Sequence, residues 1–225
     1  MDIYLVRHAQ PAWIDEQGGV MDPGLTELGQ RQAKAAAEAV ADLEALTDLW
    51  ISPTLRTVQT AAPIQAAIGL TPTVVEDLRE IRPPDWTGHP QEEIAAVFRQ
   101  AIRRPPEQWW DGLPGGEDCR SFSRRVRAAL LEQLASIGAR PREGSALWDV
   151  EAADRRVIIV GHGGTNAVLV DALLRIAEVP WPWDRFVHHH AAITHLRTST
   201  VGDGFIFGLR GLNLQAHIPA EDRTR

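Results

Sequence analysis

Hydrophobic positions along the chain follow two periods, and these divide it into strands and helices. Short unbroken apolar runs rich in β-formers occur at residues 2–6, 49–51, 73–75 and 157–160, the length and composition of buried strands. Two more strands are expected near 192–197 and 204–209. Between them the apolar residues fall at helical spacing. Ala33, Ala36, Ala37, Val40 and Leu43 form one stripe behind Thr26, a residue able to cap the helix. Ser52-Pro53 reads as an N-cap followed by proline at the first helical position, opening a helix to about Ala67. Further helices are expected over about 121–137 and from Gly163 to about Ile176. Strand and helix alternate, so the chain is read as one α/β domain spanning 1–225, a three-layer αβα sandwich with a mostly parallel central sheet.

Three stretches break the pattern. Residues 11–25, with Pro11, Gly18, Gly19, Pro23 and Gly24, read as loop. Residues 82–117 hold six prolines and three tryptophans, and read as a capping insertion over the active edge, helical around 91–103. Residues 138–155 read as a mobile surface loop, and the last six residues as frayed.

Composition narrows the function. The chain has 225 residues and a net charge of −7, which argues against a nucleic-acid or anionic-membrane surface. The single cysteine, Cys119, excludes an internal disulfide and a multi-cysteine zinc site. Lys34, the only lysine, sits among alanines, which excludes a P-loop. No stretch approaches the ~18 apolar residues of a membrane span. The expected location is the cytoplasm.

In open α/β sheets ligands bind beyond the carboxyl ends of the strands. Arg7 and His8 follow the first strand. Arg56 lies one turn after the second, and His162 follows the most apolar strand, between glycines. Two arginines and two histidines from three strands make a pocket for a phosphoryl group. Arginine matches phosphate with a planar fork of donors and stays charged. Arg56, in the first turn of a helix, also lies where backbone N–H groups favour anions. Gly163 allows close backbone approach beside His162. A neutral imidazole can attack phosphorus and form a covalent phosphohistidine. The leaving group needs a proton, and Glu80, just after the third strand, is the best donor if Ile81 and Trp86 cover it; otherwise it is a surface carboxylate paired with Arg79 or Arg82. Asp85 is the runner-up. His188, His189 and His190 alternate in direction on an extended chain, which argues against a shared metal ion. His188 or His189 is expected near the pocket rim and the others at the surface. Trp109 and Trp110 read as core or cap anchors, and Trp13 borders the active edge.

These segments together resemble the histidine phosphatase superfamily, whose fold is phosphoglycerate-mutase-like. The resemblance covers nearly the whole chain. Arg7-His8-Ala9 is similar to the family's Arg-His-Gly signature, and Ser52-Pro53-Thr54-Leu55-Arg56 to the segment bearing its second phosphate-binding arginine. Leu78-Arg79-Glu80 with Trp86-Thr87-Gly88 resembles the proton-donor segment. Pro114-Gly115-Gly116-Glu117 and Gly161-His162-Gly163-Gly164 match two more. The resemblance implies a cofactor-free, metal-free mechanism through phospho-His8 and makes Glu80 the favoured acid, with an acidic-to-neutral optimum.

Pro11 and Ile14 depart from the family pattern. They stand where mutase-like members carry a serine and an asparagine, and neither can replace those donors. A mutase must retain the phosphoryl group, so fewer donors favour a phosphatase of a small phosphorylated metabolite. The alternatives are a phosphoglycerate mutase, a phosphohistidine protein phosphatase and, last, a non-catalytic phosphate-binding module. Substrate and oligomeric state stay open, a homodimer being compatible with the sequence.

Overall fold

The computed structural model describes residues 1–225. In chain order the elements are β1 (Asp2–Arg7), β2 (Ile14–Asp15), β3 (Gly18–Gly19), α1 (Glu27–Ala41), β4 (Asp48–Ile51), α2 (Leu55–Ile68) and β5 (Thr73–Val74). They continue with α3 (Gln91–Ile102), α4 (Cys119–Ser136), β6 (Ala139–Pro141), β7 (Trp148–Val150), β8 (Arg156–Gly161), α5 (Gly163–Leu173), α6 (Pro182–Arg185), β9 (Ile193–Val201) and β10 (Gly204–Leu214). Eight strands form one sheet in the order β5-β4-β8-β1-β9-β10-β7-β6, and β2 and β3 form a separate small hairpin.

The chain is the expected α/β sandwich. Strands β5, β4, β8 and β1 run parallel, and β9 adds an antiparallel half. Side chains alternate between the two faces of β1 and β8. Ile3, Leu5, Val157 and Ile159 pack with α4 and α5 on one face. Tyr4, Val6, Ile158 and Val160 pack with α1 and α2 on the other. Burial on both faces explains why these strands are continuous apolar runs. Thr26 caps α1 as expected, accepting from the Gly29 N–H. In α5 every residue from Gly164 to Leu173 is buried, so it is apolar nearly all round.

Two regions differ from the sequence reading. Residues 138–155 are not simply a mobile loop: β6 and β7 pair antiparallel there and extend the sheet past β10. Trp148 is their anchor. It is fully buried, crosses Phe207 edge-to-face at 5.2 Å, and its indole N–H donates to the Leu173 carbonyl at 3.2 Å. Three-residue strands among charged neighbours carry too little periodicity to be seen beforehand.

The C-terminus is not frayed either. Arg31 forms a two-pronged ion pair with Asp222, and Gln32 donates to the Asp222 carbonyl and the Thr224 hydroxyl. These bonds fasten the tail to α1.

Truncating Trp148 removes a large buried ring and its hydrogen bond. Trp148→Ala is expected to cost about 3–5 kcal/mol of stability, read as a lowered urea midpoint with an unchanged slope. A loss under about 1 kcal/mol would mean that the hairpin is not part of the cooperative core.

Candidate active site

The site lies at the carboxyl ends of β1, β4 and β8. A cavity of about 950 Å3 opens there, and Arg7, His8, Arg56, Glu80 and Gly163 all line it. His162 is fully buried directly behind, its ring edge-on to His8 with centroids 5.2 Å apart. The register explains the convergence. Arg7 pairs with Gly161 across the parallel β1–β8 ladder, and the His8 N–H donates to the Gly161 carbonyl at 2.9 Å. The two histidines therefore leave adjacent strands at the same level.

The tautomer of His8 follows from its partner. Its Nδ1 lies 2.8 Å from the Ala9 carbonyl, which can only accept, so Nδ1 carries the proton and Nε2 keeps its lone pair. Burial, followed by the charges of His162, Arg7 and Arg56, holds the ring well below the usual histidine range. His8 is thus a neutral, oriented imidazole at pH 7, with Nε2 able to act as a nucleophile.

His162 Nε2 lies 2.8 Å from the Ser52 hydroxyl. Ser52 was expected to cap α2, but the helix starts later, with Thr54 at the cap position, and the serine is turned onto the histidine instead. A serine before proline looks like a helix start, which hid this role.

Arg7 Nη1 donates to the His188 carbonyl at 2.6 Å. Arg7 Nη2 lies 3.2 Å from His190 Nε2, and a guanidinium only donates, so that nitrogen accepts. His190 Nδ1 then donates to the Thr224 hydroxyl at 2.8 Å. The docked tail thereby holds the ring that holds Arg7. His190 is buried, not at the surface as expected, and burial and Arg7 depress its pKa to about 3. The three consecutive histidines each take a different partner, Phe186, Gln215 and Thr224.

Arg56 stands 4.7 Å from the centre of the Trp13 ring and 3.4 Å from Asp22. Asp22 also accepts from the Leu55 N–H, capping α2 from a distant loop. Nothing local in the sequence marks Asp22 for this.

Glu80 is half-buried and does not pair with its arginine neighbours. Arg79 is taken by Glu76, and Arg82 leans toward Glu117. Both Glu80 oxygens accept backbone N–H groups, from Gly164 at 2.8 Å and from Ile81 at 3.0 Å. Burial raises its pKa; those N–H groups, Arg56 and Arg7 pull the other way without cancelling it. Glycine at 164 leaves room for this carboxylate, since a Cβ there would lie 2.5 Å from Glu80 Oε1 and displace it. Asp85 is exposed and bound to the Thr87 N–H, away from the cavity.

The Glu80 segment is pinned from behind. Arg125 donates to the carbonyls of Asp77 and Arg79 and forms a two-pronged pair with Glu117 at 2.7 and 3.0 Å. Glu117 also accepts from the Arg82 N–H. Trp109 and Trp110, read as anchors of the insertion, stay partly exposed: Trp109 donates to Arg104 and Trp110 stacks on Arg120.

Comparison with known proteins agrees with this geometry. The model of the histidine phosphatase superfamily (branch 1) matches residues 3–205. The chain belongs to the histidine phosphatase superfamily. It is a phosphoric monoester hydrolase of that family. It is 33% identical over 185 residues to a glucosyl-3-phosphoglycerate phosphatase of Mycobacterium tuberculosis, covering 80% of this chain and 78% of that one. It is 32% identical over 179 residues to a probable phosphoglycerate mutase of Yersinia pestis, covering 77% and 75%. The solved structure of a mycobacterial glucosyl-3-phosphoglycerate phosphatase with inorganic phosphate superposes with a TM-score of 0.72 at 29% identity, covering 97% and 99%. No helix of this histidine phosphatase is long and apolar enough to cross a membrane.

Two predictions arise here. Glu117→Ala leaves Arg125 nearly buried without its carboxylate and frees the Glu80 segment. It is expected to lose about 3–5 kcal/mol of stability and to lower kcat more than it changes KM; a variant with wild-type kcat would detach this pair from catalysis. The second concerns pH. His8, His162, His188 and His190 are all held neutral by burial, the last two to about 4 and about 3. The unfolded chain binds more protons than the folded one below pH ~6.5, so stability rises with pH there and falls on acidification. Between pH 7 and 5 stability is therefore expected to fall, as each of these rings protonates more readily in the unfolded chain. Urea unfolding across that range checks it, and a flat profile would contradict the buried neutral rings.

Proposed function

We propose that this histidine phosphatase hydrolyses a small phosphorylated metabolite in the cytoplasm through phospho-His8. The observation that carries the reading is the neutral His8 ring, its Nδ1 tied to Ala9 and its Nε2 free in a cavity lined by Arg7 and Arg56. Arg7 Nε, Arg56 Nε and His162 Nδ1 are all buried without a partner within the protein, and each fits a phosphoryl oxygen. Ser52 donating to His162 Nε2 leaves Nδ1–H as such a donor.

In the first step His8 Nε2 attacks phosphorus as the P–O bond to the alcohol breaks. Glu80 gives its proton to the departing oxygen. In the second, the Glu80 carboxylate takes a proton from water, the water oxygen attacks phosphorus, and the N–P bond breaks. Burial keeps part of Glu80 protonated above the usual carboxylate range, and the surrounding N–H groups and arginines stabilise the carboxylate between steps. The arginine, histidine and backbone donors stabilise the equatorial oxygens. Pro11 pairs with Leu25 and Ile14 presents an apolar side chain to the cavity, which favours hydrolysis over retention of the phosphoryl group.

Rapid-quench labelling with a 32P ester tests this. Wild type is expected to carry an acid-labile phosphohistidine that His8→Ala lacks, with turnover abolished in the mutant. Glu80→Gln is expected to slow alkyl phosphates by about 10²–10⁴, to slow nitrophenyl phosphate far less, and to lose the alkaline limb of the pH profile. Full turnover in His8→Ala would refute the mechanism.

A further inference from the structure

The phosphoryl site occupies one end of the cavity; the remainder is walled mainly by aromatic and aliphatic side chains. Trp86 and Phe98 lie with ring centroids 6.5 Å apart on one side, and Trp181 and Trp183 cross at 5.2 Å on another. Ile94 and Val187 complete these walls. Trp183 stands close enough to Gly164 that a Cβ there would meet its ring at 3.0 Å, so the apolar wall begins beside the Glu80 carboxylate.

Polar side chains at this end are already engaged or at the surface. Glu117 is taken by Arg125 and Arg82, and His189 by Asn213 and Gln215. Arg82, Gln91 and Arg225 are exposed. His188 Nε2 is buried and unpartnered, but burial keeps this ring neutral, so it offers no charge to a substrate carboxylate. No buried, uncommitted cation lines the far walls to meet a substrate carboxylate. Meanwhile Trp13, Ile14, Met21, Phe98 and Val187, all lining the cavity, are each 38–44% exposed. An exposed apolar cluster continuous with a polar anchor marks a ligand groove.

We propose that the preferred substrates are phosphate monoesters of apolar alcohols, aryl or medium-chain alkyl, whose hydrocarbon part lies between the Trp86–Phe98 and Trp181–Trp183 walls. The proposal rests on the phosphatase reading above and deepens it. A phosphate ester carrying a carboxylate would desolvate that group against these rings with no buried cation to meet it. An apolar alcohol gains transfer free energy from them, and its phosphate end supplies the orientation.

The test is kcat/KM for methyl, butyl, hexyl and octyl phosphate and 1-naphthyl phosphate against phosphoserine, 3-phosphoglycerate and glucosyl-3-phosphoglycerate. Binding of the matching alkylphosphonates is read in parallel by tryptophan fluorescence. Chain length is expected to raise kcat/KM by about threefold per methylene, to place the octyl and naphthyl esters at least tenfold above the carboxylate-bearing ones, and to flatten in Phe98→Ala and in Trp86→Ala. A flat alkyl series, or a carboxylate-bearing ester that outruns the apolar ones, overturns the proposal and leaves the phosphatase reading standing. If no ester gives His8-dependent phosphate release, the phosphatase reading fails, and the phosphonates decide the apolar wall alone. Affinity rising with chain length upholds it; equal affinity for methyl- and octylphosphonate overturns it.

Discussion

Two guanidinium groups, Arg7 partly buried and Arg56 buried, face the Glu80 carboxylate, and most of the architecture around the site answers that imbalance. Arg7 and Arg56 both feel Glu80 as their main attractive charge, and both have their pKa lowered by burial, Arg7 to about 10. A cluster this positive is unfavourable until an anion arrives. The protein offsets the cost for Arg7 with neutral acceptors, the His188 carbonyl and the His190 ring, and for Arg56 with the Trp13 face and the exposed Asp22 carboxylate. Burial, reinforced by the same field, keeps His8 and His162 uncharged. The two arginines therefore both draw an anion and help keep the neighbouring rings neutral.

The sheet divides this labour. Its parallel half delivers His8, Arg56 and His162 from three neighbouring strands, because parallel strands end on the same edge. Its antiparallel half and the tail supply the supports, through His190 and Thr224. Glu80 comes from a loop and needs separate fixing, which Arg125 and Glu117 provide from the start of α4. Arginines around the site thus have opposite duties. Arg125 is satisfied by carbonyls and a carboxylate and serves as structure, whereas Arg7 and Arg56 keep donors unpaired.

The parts of the site legible in the sequence were those set by strand ends. Arg7, His8 and His162 sit immediately after apolar runs, so the general rule for α/β sheets finds them without any contact information. Arg56 follows by one helical turn. Glu80 was legible only as one of two readings, because its burial depends on Gly164 and Trp183, far away in the chain; the family resemblance, not the local pattern, favoured it. Ser52, Asp22, His190 and Thr224 act through tertiary contacts that leave no periodic trace. Ser52 was masked further by a local motif with a commoner meaning. The β6–β7 hairpin escaped for the opposite reason: its pairing is real, but its strands are too short to show alternation, and one tryptophan does most of its burying.

The chemistry and the selectivity of this enzyme rest on different kinds of structure. His8, Arg56 and His162 follow elements buried on both faces of the sheet, where a displacement would disturb the whole core. The apolar walls come from the β2–β3 region, α3 and residues 181–187, which are partly exposed and have few partners in the main sheet. Even the strained position there, Trp181 at φ 58° directly before Pro182, belongs to the wall and not to the catalytic end. Change in the walls can therefore reshape the far end of the cavity without moving His8. Relatives of this chain carry different substrate names, so substrate must be argued from the walls of each chain and not from the fold it shares.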